Sequence, residues 1–404
     1  MLFLLAWRNV WRNKARSGII MGSVALGLFA GLFVLAIYKG MLDSRIATVI
    51  RDEVAHLQVH HPHLKDDYEA VYTIPGSEGV RQRIKGWTKV VEVAPRSVVQ
   101  GMLSTGRGSN GVEIRGVQPA AEAVVSGLDK KVIRGTYFGS GRTNELLVGQ
   151  KLLDKMKLRE GGKVVLTFTD RDNGVTAGAF RIAGVYRSGN TPLDERIVYV
   201  KMEDLNSLLG TGSQYHELAL LLKEDEAVEG VKEALKSAFP ALLVESWKEV
   251  SPETELTITT VNQFSLIIIA IIMLALAFGI VNTMLMAVLE RTRETGMMVA
   301  LGMNKRRLFV LVLLETLFLT LVGVPVGLLL AAGVVWYTGH AGINVERFAG
   351  QVMEQFGYSN IIYPQFPGGQ LAAVLLIVVI TAFLSSLFPA GKALRMEPVE
   401  ALRK

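Results

Sequence analysis

The sequence predicts a membrane protein with four transmembrane α-helices, a large extracytoplasmic α+β domain between the first and second of them, and an N-terminal amphipathic elbow helix. Three observations carry that expectation. Apolar runs long enough to cross a bilayer recur at 17–38, 256–289, 308–335 and around 371–388, and the only charge in them is Glu315. Between the first and second runs, residues 43–255 regain charge and shorten their apolar pattern to strand length. Lys and Arg concentrate in three short segments that fall on one side of a four-span topology.

Composition agrees with such a mixture. Half of the 404 residues are hydrophobic and 20% are charged, with a formal net charge of +6. The mean hydropathy is +0.34. These values are too apolar for an ordinary soluble chain and too charged for spanning helices alone. The chain has no cysteine, which excludes disulfides, thiolate metal sites and cysteine nucleophiles. The first apolar run exceeds a signal-peptide core and lacks a small-residue cleavage motif, so no cleavable leader is expected.

Residues 1–16, MLFLLAWRNVWRNKAR, form the expected elbow helix. Leu4, Trp7 and Trp11 share one side at helical spacing, flanked by Arg8 and Arg12, which suits a helix lying at the headgroup level. The first span is 17–42. Its charge-free part, at about 1.5 Å per residue, crosses a hydrocarbon core of about 30 Å. Gly18, Gly22, Gly27 and Gly31 favour close helix packing there.

In the 43–255 domain, strands are expected at 54–60, 90–93, 98–103, 111–116, 163–169, 180–185, 196–200 and 218–223, and helices at 78–85, 149–156, 203–209 and 227–239. The interleaving predicts an α+β fold. The glycine-rich stretches 104–111 and 170–178 read as exposed loops or hairpin tips. The second span follows at 256–289, a charged segment at 290–304, the third span at 305–338, an extracytoplasmic loop at 339–368, the fourth span at 369–391 and a tail at 392–404.

Orientation comes from the basic residues. Arg8, Arg12, Lys14 and Arg16 precede the first span. Arg291, Arg293, Lys305, Arg306 and Arg307 lie between the second and third, and Lys392, Arg395, Arg403 and Lys404 follow the fourth. The 339–368 loop has only Arg347. Both termini are therefore expected in the cytoplasm of a multi-pass membrane protein.

The segment 290–304 is too short to span. Arg291, Arg293 and Glu294 can reach charges on a soluble partner, and Met297, Met298 and Leu301 can fill a shallow apolar cleft on it. An ordinary loop whose charges only set topology is the plain alternative.

The stretch NTMLMAVLERTRETGMMVALGMNKRRL resembles the corresponding segment of the MacB/FtsX-like ABC transporter permease superfamily. The closing PAGKALRMEPVEALRK and the opening AWRNVWRNKARS resemble that superfamily's C-terminus and elbow. Within the middle domain, GVEIRGVQPA and NELLVGQKLLDKMKLREGGKVVLTF are similar to the lipoprotein-releasing, or Lol-type, permease subunits. The resemblance implies a permease driven by separate ABC ATPase subunits that dock on a coupling helix at Glu290, Arg291, Arg293, Glu294, Gly296, Met297, Met298 and Leu301, ended by Gly302. It implies the bacterial inner (cytoplasmic) membrane, and no cofactor on this chain, with ATP and Mg on the partner ATPase. It further implies a second permease copy or homologous permease, a lipoprotein cargo and a periplasmic carrier or adaptor.

On that footing, cargo acyl chains would be lined by Gly22, Gly27 and Gly31 on one span and by Ile267, Ile271 and Leu274 on the next. Alternatives are efflux of small molecules or peptides with an adaptor, and mechanical signalling to a cell-wall hydrolase or sensor without transport. Neither a nucleic-acid partner nor a catalytic site in this chain is expected.

The sequence holds no G-x-x-x-x-G-K-[ST], G-x-S-x-G or H-E-x-x-H motif. FPGGQL at 366–371 has only a chance likeness to an ABC signature. His56, His60, His61 and His63 cluster within one short stretch, yet no carboxylate or cysteine in the sequence completes a ligand set, so no metal is expected. Glu315 is an intramembrane carboxylate and so a functional candidate, although a helix-packing role is favoured.

Overall fold

A computed structural model describes residues 2–139, 141, 143–301, 303–355, 358 and 360–394. The chain divides into two compact units, one helical and one built on a mixed sheet. The helical unit comprises residues up to Leu42, Ile258–Asn344 and the chain from Ile361 on.

Four helices are long and apolar enough to cross a membrane. They are Lys14–Thr48, Pro252–Glu290, Lys305–Ala341 and Gly368–Leu394. Ile20, Val24, Leu28 and Leu32 of the first helix and Ile269, Met273, Leu276 and Ile280 of the second belong to one apolar core shared by the long helices. Both sets recur every three or four residues, so each helix turns one continuous apolar stripe into that core.

The close backbone approach is not made by the glycines expected from sequence. Nothing lies within 4 Å of where a Cβ would stand on Gly18 or Gly22. Gly27 instead faces the Leu276 side chain. Backbones meet at Gly323 and Gly327 of the third span, where an added Cβ would lie 3.0 Å from the Met21 carbonyl oxygen and 2.7 Å from that of Ala25. This pair has the G-x-x-x-G spacing that lets helices touch.

The second unit holds Asp43–Thr257 and Val345–Asn360. Its strands are β1 (Leu57–His60), β2 (Val90–Thr105), β3 (Gly108–Val117), β4 (Val132–Gly135), β5 (Glu145–Gly149), β6 (Lys163–Thr169), β7 (Val175–Tyr186), β8 (Ile197–Lys201), β9 (Glu217–Leu222) and β10 (Leu243–Ser246). They form one ten-stranded sheet in the order β10-β1-β9-β2-β3-β8-β5-β7-β4, with β6 pairing β2 and β7. β3 runs parallel to β8 and β5 parallel to β7, while the other pairs are antiparallel.

Three expectations change here. The two strands expected at 90–93 and 98–103 are one strand, β2. Pro95 does not break it because the strand exchanges neighbours there: residues 90–96 pair with β9 and residues 96–105 with β3. A proline lacking an N–H is tolerated where one side of the ladder is open. The strand expected at 54–60 begins only at Leu57. Val49–Val54 instead form a π-helical turn, and Ala55 leaves it at a φ of 66°. The region 339–368 is more than a loop, since Glu346–Gln355 form a helix between two short strands, Ile343–Asn344 and Ile361–Ile362.

Two buried titratable groups in this unit oppose each other. His216 is fully buried, its Nδ1 accepting from the Val98 N–H at 3.2 Å. Burial pushes it down from 6.5 to about 4. The unfolded chain therefore takes up this proton first, and stability falls as pH drops from about 6.5 to about 4.

Asp194 is pushed up from 3.8 to about 6 by burial, against hydrogen bonds from the Ser188 N–H and hydroxyl. Here the folded state protonates first, so stability rises as pH drops from about 6 to about 3.8. Each effect is worth about 3 kcal/mol at 1.36 kcal/mol per unit. The expected result is a thermal midpoint nearly level between pH 6 and pH 4.5. His216→Asn should gain stability on acidification over that window, and Asp194→Asn should lose it. Parallel slopes in the two variants would refute the opposition.

Candidate functional site

The candidate site lies at the basic end of the helical unit. The second span ends at Glu290, and the Thr292 hydroxyl donates to the Leu289 carbonyl at 2.6 Å, satisfying a helix-end acceptor. A short helix, Thr292–Ala300, follows. Asn304 then caps the third span, its side chain accepting from the Arg306 N–H at 3.0 Å. Gly302, expected to end the short helix, lies outside the described residues, as does the tail from 395 onward.

The short helix has two unlike faces. Glu290, Arg293, Met297 and Leu301 are exposed, with Leu301 at 83% and Met297 at 50%. Arg293 and Met297 lie one turn apart on the short helix, with exposed Glu290 just before it and exposed Leu301 just past its end. Arg291 and Met298 turn inward instead, and Gly296 is buried. Of the residues expected to meet a partner, Glu290, Arg293, Glu294, Met297 and Leu301 are exposed, whereas Arg291 and Met298 are partly buried and Gly296 is buried.

Arg291 reaches the buried carboxylate of Glu315 on the third span, Nη1 to Oε1 at 3.2 Å and to Oε2 at 3.5 Å. Its Nε lies 4.0 Å from Glu294 Oε2, and Glu294 also pairs with Arg12 of the N-terminal helix. Charges of alternating sign thus tie three helices together in the order Arg12, Glu294, Arg291, Glu315. They border a cavity of about 350 Å³ whose apolar wall includes Leu5, Met284, Val288, Met297 and Leu308.

The N-terminal helix, Leu2–Arg12, buries Ala6 and Val10 and leaves Leu4, Trp7 and Trp11 exposed. Its Phe3 and Trp7 rings sit edge-on to Phe318 of the third span at 6.2 and 5.5 Å. Arg12 carries a role that sequence reasoning missed. The signal was faint, an opposite charge far along the chain at Glu294.

The residues expected to line a cargo path do not converge. Gly27 and Gly31 face Leu276 and Met273 of the second span. Ile267, Ile271 and Leu274 lie on another face, where with Phe264 and Phe278 they form an exposed stripe.

Of the histidines, His61 and His63 stay adjacent, their rings 5.7 Å apart, while His56 and His60 take separate partners. His56 Nε2 meets Asp225 at 2.9 Å, His60 Nε2 meets Glu245 at 2.9 Å, and His63 Nδ1 meets Asp66 at 3.0 Å. His61 stacks on Tyr72 at 5.1 Å. Among the described residues, no three His, Cys, Asp or Glu side chains gather as a metal site would need.

With this geometry in place, the chain matches two family models. One is the MacB-like periplasmic core domain, over residues 17–238, and the other is the FtsX-like permease C-terminal region, over 266–398. The lipoprotein-releasing system transmembrane protein LolC of Neisseria meningitidis is 22% identical over the full length of both chains. The macrolide export ATP-binding/permease protein MacB of Bdellovibrio bacteriovorus is 24% identical over 97% of this chain and 60% of that one. Among solved structures, the periplasmic region of MacB from Actinobacillus actinomycetemcomitans is similar at 14% identity and a TM-score of 0.36, over 49% of this chain and 92% of that one.

Proposed function

Because the chain belongs to the MacB/FtsX-like family of ABC transporter permeases, we propose that it releases lipoproteins from the bacterial inner membrane, driven by a separate ATPase subunit that grips Thr292–Ala300. The exposed side chains of that short helix and its two ends carry this reading. Exposed Met297 and Leu301 supply an apolar anchor, and Glu290 and Arg293 supply charges that set its register on a soluble partner.

The basic end is assigned to the cytoplasm, with the elbow helix lying at the headgroups and the sheet domain in the periplasm. The match to LolC spans that protein's full length whereas the match to MacB spans 60% of its own, and this supports the lipoprotein reading. The cargo's acyl chains are assigned to the exposed stripe of Ile267, Ile271 and Leu274, facing a second permease, either another copy or a relative. ATP and Mg belong to the ATPase, and a periplasmic carrier accepts the released lipoprotein.

The test combines Arg293→Ala, Met297→Asp and Leu301→Asp in the full-length protein. The ATPase subunit should no longer co-purify, while membrane insertion is unchanged. Undiminished co-purification would disprove the docking face. For the cargo, a photo-crosslinker at position 271 should capture a lipoprotein during ATP turnover. Capture of phospholipid alone would reject lipoprotein release.

A further inference from the structure

We infer that residues 49–55 form a two-state joint between the end of the first long helix and the sheet: a π-helical turn held wound by the Arg45–Glu53 ion pair, which rewinds to ordinary α-helix when that pair opens. The joint lies within the sheet unit and depends on neither the cargo nor the ATPase docking face.

The turn follows without a break from the helix Lys14–Thr48, since Thr48 keeps helical angles at φ −65° and ψ −46°. Val49–Val54 then wind more widely, and the Ala55 N–H reaches back five residues to the Ile50 carbonyl at 2.9 Å. Turns of this kind are rare and recur at functional sites.

The winding decides which side chains meet. At about 3.6 residues per turn, eight residues of α-helix would leave Glu53 about 80° round the axis from Arg45. The wider turn takes that angle back, and the two buried side chains pair at 2.5 Å. The pair therefore belongs to one winding and not to the other. Arg45 Nη2 also donates to Thr254 Oγ1 at 3.2 Å, and Asn190 Nδ2 donates to Glu53 Oε1 at 2.6 Å. Arg115 Nη1 donates to the Glu53 backbone carbonyl at 3.1 Å, and Lys131 pairs with Asp52 at 2.5 Å.

Backbone strain opposes these contacts. Ala55 has φ 66° and ψ −176°, a region essentially confined to glycine. Such a residue persists only while its surroundings over-determine it. Opening the ion pair removes the main restraint, and rewinding removes the strain.

The turn also has room to move. Close-packed interiors resist displacement. Here one cavity of about 420 Å³ is lined by Arg45, Glu53 and Thr254, and another of about 620 Å³ is lined by Ile50, Arg51 and Asp52. The apolar cluster around Ala55 is made of small side chains, Ala94, Ala121, Val125 and Ala219. β1 is pinned on both sides by β9 and β10. Rewinding thus turns residues 43–48 relative to β1, by about 100° for each residue taken up.

The test measures distances by double electron–electron resonance in the purified full-length protein in nanodiscs. The chain has no cysteine, so spin labels on Ala47→Cys and Thr169→Cys, both at exposed positions, are the only ones. With the native turn, two distances should appear, the wound state dominating. Glu53→Gln should enrich the minor distance about tenfold relative to the major one, the factor for one charged hydrogen bond. Ala55→Gly relieves the strain of the wound state and should deplete the minor distance by a comparable factor. Where Glu53→Gln fails to fold, Thr254→Val removes one Arg45 contact and should shift the populations in the same direction by a smaller factor. A single distance common to all the proteins, or a shift in the same direction for Ala55→Gly and the Glu53 or Thr254 variant, would overturn the joint.

Discussion

Glu315→Ala is expected to lower ATP-driven release about tenfold or more, the range of a coupling free energy of 1–3 kcal/mol between two sites, with little change in the amount of protein in the membrane. Glu315 is buried on the third span, and Arg291 reaches it from the segment that leads into the proposed docking helix. A push on that helix is therefore resisted at a charged contact with the third span, rather than at sliding apolar surfaces. Removing the carboxylate leaves the mostly buried Arg291 guanidinium without this partner, and the helix loses its fixed register against the bundle.

The measurement is ATPase rate and release rate in the same reconstituted complex. Hydrolysis should persist while release falls, because docking uses the exposed side chains of the short helix and not Glu315. Exchanging the pair, Arg291→Glu with Glu315→Arg, should recover part of the release that either substitution alone removes. A Glu315→Ala complex that releases cargo at the wild-type rate would remove this contact from the transmission path.

How much of this was legible in the sequence depends on the range of the interaction. The four long helices follow from runs without charge, because unpaired backbone groups cannot be left in hydrocarbon and charged side chains are costly there. The exposed side chains of the short helix were partly legible, since their spacing is local. Its inward face was not. Arg291 and Glu315 are 24 positions apart and Arg12 and Glu294 are 282 apart, and no local periodicity encodes such pairs.

The same limit applies to the sheet. β6 alternates and its bounds can be read directly, but β4, β5 and β10 were missed. β5 is buried at every position, so it shows no alternation, and β10 is only four residues long. Of the first-span glycines expected to pack closely only Gly27 packs tightly, on Leu276, and Gly18 and Gly22 meet nothing within 4 Å, for another reason. Glycine permits close approach without requiring it, and the partner helix decides which glycines are used. In the long helices, Gly40, Gly323, Gly327 and Gly339 are the ones that meet a neighbouring backbone.

In the sheet unit a large loss of stability is expected from Glu122→Ala, at about 3–5 kcal/mol, the cost of leaving one member of a buried ion pair without its partner. Arg96 on β2 is almost fully buried, and Glu122 completely so. The guanidinium donates to the carboxylate through Nε at 3.0 Å and Nη2 at 2.7 Å, a two-point contact that lysine cannot reproduce. Burial pushes Glu122 upward, but the charge and hydrogen bonds of Arg96 outweigh it and hold the carboxyl below its ordinary range.

Glu217 on β9 offers Arg96 a further contact at 3.2 Å, so the alanine variant keeps part of the compensation and should fold. Arg96→Ala strands two buried acids and should be at least as damaging. The double variant Arg96→Met with Glu122→Leu removes both charges and fills the volume, and it should recover most of the loss, because an ion pair out of water gains little over well-packed apolar groups. Denaturant unfolding of the three variants settles it. A double variant no more stable than Glu122→Ala would mean that the pair holds β2 through its hydrogen-bond geometry, which no apolar pair replaces.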